Sequence, residues 1–249
     1  MGELFARTCA AEWTRLWSVR STWWFLAAAW AMMHGIALMA GVSTAGQPDP
    51  PVGDPAWGIA PIVVLPAQFA LLAVAVTAVT AEYATGGIVP TLQWTPRRSV
   101  LFWARVVVTT AVATVLGVAF AFTCGLVGWV AARPILDLEG AGVLGTVAFV
   151  LLAGTLLSVG LGFLLRSTAG GLVGVFLLLL VLPALLPQFG YEWLTEIADV
   201  LPGTSAIFLL TEEPSGRGLT ERGSVVLMLV WAVGALAGGW ARLVRDDAG

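Results

Sequence analysis

The residue types of this sequence exclude several kinds of catalytic chemistry. All twelve basic residues are arginine and none is lysine. A phosphate-binding loop of the form G-x-x-x-x-G-K-[ST] and a Schiff-base lysine are therefore excluded. A single histidine cannot make a zinc site, and Ser158, Ser167 and Ser224 have no G-x-S-x-G setting. We therefore predict no catalytic, cofactor-binding or metal-binding residues, and the chain is not expected to be an enzyme by itself.

His34 is the one titratable side chain near the centre of a long apolar segment. An ion-coupled carrier needs titratable or ion-binding groups at this depth, where a bare charge is costly. We favour an imidazole that is hydrogen-bonded within the protein over a proton relay, although a relay would keep an ATP-independent carrier open.

Composition places the chain in a membrane. Hydrophobic residues make up 59% of the sequence, charged residues 11%, and the mean hydropathy is +0.92, which is more apolar than a soluble domain. A helix needs roughly 20 apolar residues to cross the hydrocarbon core. The windows that meet this length are Trp23 to Gly41, Ile59 to Thr80, Val106 to Val130, Gly142 to Leu165, Ala169 to Leu186 and Ser224 to Leu243. We predict an all-α integral membrane protein with six transmembrane helices, forming one transmembrane domain over residues 1–249.

The arginines give an orientation. Nine of the twelve lie on the side that carries both termini, whereas the opposite side holds only Arg133, Arg217 and Arg222 together with ten acidic residues. The positive-inside rule therefore predicts that both termini are cytoplasmic. We expect a multi-pass membrane protein with this orientation.

Residues 1–21 precede the first span and have the pattern of an amphipathic helix at the membrane interface. The apolar face contains Phe5, Cys9, Leu16 and Val19. Trp13 flanks this face, but Glu12 lies on it. We expect Glu12 to pair with Arg15 or Arg20, or to reach water, in preference to a functional contact.

Two connections are long enough to carry a function. The first, Ala81 to Arg105, has turns at Gly86, Gly87 and its prolines. The second, residues 187–223, is predicted to be external and to form an interfacial or re-entrant element. It follows residues 22–186, which hold spans one to five, and precedes the sixth span at residues 224–243. Prolines near the end of the fifth span predict that its outer end bends or unwinds.

Four stretches of sequence resemble one known family. They are EWTRL running into VRSTWW at residues 12–24, E-Y-x-x-G at residues 82–86, T-P-R-R at residues 95–98, and L-R-S-T-A-G at residues 165–170. Together they resemble the membrane subunits of type-2 ABC transporters, especially actinobacterial permeases. The chain departs from the family pattern at Ala84-Thr85, where a basic residue is frequent, and at Gly87, where Thr or Ser is frequent.

The resemblance implies an elbow helix, a coupling loop and two kinds of protein partner. The elbow-helix residues are Glu12, Trp13, Arg15 and Arg20. The residues of the coupling loop are Glu82, Tyr83, Gly86, Gly87, Arg97 and Arg98. The partners implied are a cytoplasmic ABC ATPase, which would hold ATP and Mg²⁺, and a second permease subunit of the same or a related chain. Lipid surrounds the subunits, and no nucleic acid is expected to bind.

The function that this resemblance implies is the permease half of an ATP-driven exporter for an amphipathic or lipophilic cargo, such as a drug, natural product, peptide or lipid. Glu82 is then expected to be held by an arginine of the same connection, such as Arg97 or Arg98, or by a basic group of the ATPase, although it could instead be a boundary carboxylate that faces water. Two other functions are an ATP-independent carrier and a non-transporting membrane anchor or assembly factor.

Overall fold

Six helices long and apolar enough to cross a membrane form the protein, within the residues described by the computed structural model (2–94, 97–211 and 219–245). These spans are α2 (Arg20–Ala45), α3 (Ala60–Thr85), α5 (Arg98–Ala131), α6 (Val143–Leu165), a fifth span that begins with α7 (Thr168–Phe176), and α11 (Glu221–Arg245). A 3₁₀ turn, Ala56–Ile59, leads into α3. The predicted all-α fold with six transmembrane helices is confirmed.

The first helix is separate from the first span. Helix α1 (Gly2–Ser18) ends before Val19. Val19 has an extended backbone, and α2 begins at the next residue, Arg20. Arg20, predicted as part of the elbow helix, is instead the first residue of α2, because the chain turns at Val19. Its side chain is exposed.

Helices α3 and α6 form the centre of the bundle, and the other spans surround them. About two thirds of α3 and of α6 is buried, whereas only 28% of α2 and of α11 is. Glycine residues allow the helices α6 and α11 to approach each other closely. A Cβ atom on Gly160 of α6 would lie 2.5 Å from the Ala235 backbone of α11, and one on Gly239 would lie 2.7 Å from the Gly160 carbonyl oxygen. Side chains are excluded from this seam, so the two backbones pack directly against each other.

The fifth span loses regular α-helical structure towards its end. A π-helical turn (Leu177–Val181) follows α7, and α8 (Leu182–Leu185) and a 3₁₀ turn (Leu186–Phe189) complete the span. Its prolines lie at the starts of these last two pieces, where a missing backbone donor is tolerated. This end departs from regular α-helical structure, in agreement with the prediction that it bends or unwinds.

The connection after the fifth span contains two helices. Helices α9 (Glu192–Asp199) and α10 (Pro202–Thr211) meet at 74°. Helix α10 is largely buried, and a Cβ atom on Gly203 would lie 2.2 Å from the Leu179 carbonyl oxygen in the π turn. Helix α10 is therefore packed into the bundle, as a re-entrant element would be. Residues 212–218 of this connection lie outside the described part.

Both ends of the described chain lie on one face of the bundle, which we call the terminus face. There Arg98, at the start of α5, donates a hydrogen bond of 3.0 Å to the Leu243 carbonyl oxygen in the last turn of α11. The short helix α4 (Ile88–Trp94) lies in the connection between α3 and α5 on the same face. The other end of the bundle is called the opposite face below.

Candidate functional site

Glu12 is the first unusual charge on the terminus face. Helix α1 buries Thr8, Glu12 and Leu16, which are four residues apart and share one side of the helix. A carboxylate in the middle of a buried stripe is costly unless it is paired. The partners of Glu12 therefore define how α1 is attached to the bundle.

Arg105 is the main partner, and its side chain is fully buried in α5. Its Nε donates to Glu12 Oε2 at 3.1 Å and its Nη2 to Glu12 Oε1 at 2.8 Å, a two-bond contact. The same Nη2 donates to Glu82 Oε2 at 2.9 Å. Arg105 thus joins a carboxylate of α1 to a carboxylate near the end of α3. Charge-assisted, paired hydrogen bonds of this kind are the strong ones.

Arg15 completes the group from the side of α1. Its Nη2 donates to Glu12 Oε2 at 2.5 Å and to the Ala78 carbonyl oxygen of α3 at 2.7 Å. Its Nε lies 3.7 Å from Glu82 Oε1. We call Glu12, Arg15, Glu82 and Arg105 the ionic cluster. It links three helices: α1, α3 and α5.

The charges within the ionic cluster balance, with two carboxylates against two guanidinium groups. Burial on its own would raise the pKa of Glu12. The Arg105 guanidinium, with Arg15 adding to it, more than offsets burial and holds the pKa of this carboxyl below its ordinary value. Glu12 is therefore ionised at neutral pH, as a carboxylate with two guanidinium partners should be.

Glu82 was predicted to pair with an arginine of the same connection, such as Arg97 or Arg98, or with a basic group of the ATPase. An arginine of that connection does pair with it, but this arginine is Arg105, and the named examples are wrong. Arg98 bonds to the last turn of α11, and Arg97 is exposed ahead of α5. The reason is the helical structure of α5, which starts at Arg98 and so carries Arg105 two turns further along, beside Glu82. Among the described residues, Arg105 and Arg15 are the basic groups that contact Glu82.

The residues after Glu82 form the turn that leads from α3 into α4. Gly86 ends α3 with φ of +72°, a left-handed conformation that glycine adopts without strain. Gly87 packs against Glu82, and the Arg166 guanidinium lies 5.4 Å from the centre of the Tyr83 ring. Thr95 and Pro96 of the T-P-R-R sequence lie outside the described residues.

A groove of about 540 Å³ lies between α1 and α4, next to the ionic cluster. We call it the α1–α4 groove. Glu12, Arg15 and Glu82 line its inner side. Its outer parts are lined by Leu4, Arg7, Thr8, Pro90, Thr91 and Trp94. Trp94 is 87% exposed, the largest exposed fraction among the large apolar side chains of the described residues.

The remaining elbow-helix residues lie apart from the ionic cluster. Trp13 is half exposed, and its ring meets the edge of Trp17 at 5.6 Å. Trp17 in turn contacts Trp23, whose Nε1 donates to the Trp17 carbonyl oxygen at 3.0 Å. This aromatic row is suited to the membrane interface, where tryptophan is enriched. Of the four predicted elbow residues, Glu12 and Arg15 enter the cluster, and Trp13 and Arg20 do not.

His34 has partners for both ring nitrogens. Nδ1 lies 2.8 Å from the Trp30 carbonyl oxygen, and Nε2 lies 2.9 Å from Thr123 Oγ1 on α5. The ring also stacks on Trp30 at 4.6 Å. The prediction that His34 is hydrogen-bonded within the bundle is confirmed.

Arg105 is the functional residue that sequence reasoning missed, since it was assigned only to the end of a span. Two signals could have found it. Glu12 lies on an apolar face, and Arg105 lies inside the apolar run from Leu101 to Val108. Each is an unmatched charge in apolar surroundings, and pairing them is the least costly solution.

The ionic cluster joins α1, α3 and α5 through charged side chains. No group of three or more His, Cys, Asp and Glu side chains suited to a metal ion occurs within residues 2–94, 97–211 and 219–245. The fold and the site together define a multi-pass, all-α membrane protein. No protein-family model matches the chain, and no curated protein matches it in sequence.

Proposed function

We propose that this chain is the permease subunit of an ATP-driven ABC exporter. The ionic cluster is the observation that carries the proposal. It fixes α1 and the adjoining ends of α3 and α5 to one another at the face where a cytoplasmic ATPase would dock. A push on α4, which is joined to α3 and α5, would therefore move several helices together.

The α1–α4 groove supports a docking role for this face. It is lined partly by charged side chains, and exposed Trp94 gives a large contact surface at its rim. Aromatic and arginine side chains are enriched at the centres of protein interfaces. We propose that the ATPase contacts α4 and this groove, and that it holds the ATP and Mg²⁺.

The proposed assembly contains a second permease subunit, of the same or a related chain, in a bacterial cell membrane. The cargo is an amphipathic or lipophilic compound, because flexible apolar side chains adapt to several shapes. His34 gives no specific support to an ATP-independent carrier, since a backbone carbonyl oxygen and a threonine hydroxyl already contact both ring nitrogens.

The proposed orientation, with both termini cytoplasmic, has a direct test. In a variant without Cys9 and Cys124, a cysteine introduced at Gln47 should react with an impermeant thiol reagent added outside the cell. One at Ser99 should not, although both positions are exposed in the structure. Ser215, a third position of interest, lies outside the described residues. Labelling at Ser99 from outside would reverse the orientation.

Co-purification tests the ATPase contact. Tagged protein isolated from its native membrane should bring with it a soluble ATPase that has a phosphate-loop lysine, while the chain alone should hydrolyse no ATP. Trp94→Ala should reduce the recovered ATPase at least tenfold, because the exposed ring would be a central contact. Trp13→Ala is the matched control, since it removes an exposed tryptophan that does not line the groove.

Two results would count against the proposal. One is recovery of the same amount of ATPase with Trp94→Ala as with the wild type. The other is proton-driven transport by the purified chain alone in liposomes, which would favour the ATP-independent carrier.

A further inference from the structure

The opposite face carries a cavity of about 430 Å³ between the ends of α2, α3 and α5. This volume lies in the range of small-molecule sites. Most of the wall is apolar, as expected for a site that takes an alkyl or aryl group. The apolar lining side chains are Ile36, Ala40, Ile59, Ile62 and Leu136.

Close backbone packing shapes one side of this cavity. A Cβ atom on Gly41 of α2 would lie 2.7 Å from the Ala131 Cβ and 2.9 Å from the Gly128 carbonyl oxygen of α5. The lining positions on α2 run from Ile36 to Thr44. At 1.5 Å per residue this is a depth of roughly 12 Å. The cavity therefore extends roughly 12 Å along the axis of α2.

Among the described residues that line the cavity, the charged one is Asp54, at the rim. The backbone around it is fixed to the α5–α6 connection: Gly53 N donates to the Ile135 carbonyl oxygen at 2.8 Å, and Asp137 N donates to the Asp54 carbonyl oxygen at 3.0 Å. The Asp54 side chain is exposed and makes no ion pair with a residue of the described chain. An anchored carboxylate thus lies at the rim of an apolar cavity.

The neighbouring acidic residues on this face outnumber the basic ones. Asp49, Asp137 and Glu139 are exposed on the same two connections. Arg133, the basic residue of the α5–α6 connection, stacks on Trp129 with its guanidinium carbon 3.3 Å from the ring centre. The potential at the rim is therefore negative and favours a cation.

We propose that this cavity binds an amphipathic monocation, with its alkyl or aryl group against the apolar walls and its cationic head beside Asp54. Apolar burial supplies the affinity, and the carboxylate selects the sign of the head group. The inference concerns binding to this chain alone and does not rest on the proposed exporter function.

Direct binding to the full chain in phosphatidylcholine nanodiscs tests the inference. The probes are radiolabelled decyltrimethylammonium and a neutral decyl amphiphile, each below its critical micelle concentration. The cationic probe should bind at least tenfold more tightly than the neutral one. Asp54→Asn should raise the Kd of the cationic probe at least tenfold and leave that of the neutral probe within twofold.

Two further variants complete the test. Asp49→Asn removes an exposed acid of the same connection that does not line the cavity, and it should change the Kd less than twofold. Ala40→Phe fills the cavity and should weaken binding of both probes. Equal effects of Asp54→Asn and Asp49→Asn would overturn the proposal, as would equal affinity for the two probes. Unchanged binding in Ala40→Phe would show that only the surface charge acts, and this too would overturn it.

Discussion

Arg105→Met should lower the free energy of unfolding by about 3–5 kcal/mol. The substitution keeps an apolar stem in α5 but removes the guanidinium that contacts both Glu12 and Glu82. Two carboxylates would then remain in poorly solvated surroundings with only Arg15 to balance them. Leaving one partner of a buried ion pair unmatched costs much more than the pair contributes by its presence. Unfolding in mixed micelles of mild detergent and dodecyl sulfate measures the loss.

Arg7→Met is the matched control for this loss. It removes an arginine from a salt bridge of 2.6 Å with Glu3, but the two side chains are 78% and 79% exposed. Exposed pairs of this kind contribute little, so the expected change is below about 1 kcal/mol. Adding Glu82→Gln to Arg105→Met should recover part of the lost stability, because the remaining Glu12 carboxylate is then balanced by Arg15. Equal losses in Arg105→Met and Arg7→Met would rule out a central structural role for the cluster.

Hydropathy was sufficient to place the six spans, because each needs a long run of apolar residues whatever its neighbours are. It was not sufficient to place their ends. Helix α5 begins at Arg98, about two turns before the predicted apolar window, and α3 continues past Thr80 to Thr85. Helical backbone bonds continue into polar sequence at the membrane boundary, where an apolar window cannot detect them.

The ionic cluster was predictable only in part, because its contacts join distant segments. Glu12 and Glu82 were recognised as charges in unfavourable surroundings, and the nearby pairing of Glu12 with Arg15 followed from their spacing on one helix. The pairing with Arg105 requires α1 to lie against α5, 93 residues away in sequence. That arrangement depends on how the helices pack, which no local pattern of residues contains.

In the proposed exporter, Glu82→Ala should reduce cargo-stimulated ATP hydrolysis by an order of magnitude or more. Such a reduction corresponds to about 1.4 kcal/mol. Glu82 Oε2 accepts the 2.9 Å hydrogen bond from Arg105, and Oε1 lies 3.7 Å from Arg15, so the substitution removes both ionic contacts of α3 with the cluster and leaves the Arg15 hydrogen bond to the Ala78 carbonyl oxygen. Movement of α3 would then be transmitted less directly to α1 and α5. Hydrolysis by the purified complex in nanodiscs, measured with and without cargo, gives the effect.

Gly86 and Gly87 provide a matched pair for the same mechanism. Gly86 has φ of +72°, so Gly86→Val should force the turn before α4 to change and should reduce stimulation as strongly as Glu82→Ala does. A Cβ atom on Gly87 would lie no closer than 3.4 Å to its neighbours, so Gly87→Ala should keep stimulation within twofold of the wild type. All three variants must first be shown to insert and to bind the ATPase. If Glu82→Ala and Gly86→Val then retain normal stimulation and transport, the connection between α3 and α5 does not couple hydrolysis to cargo movement.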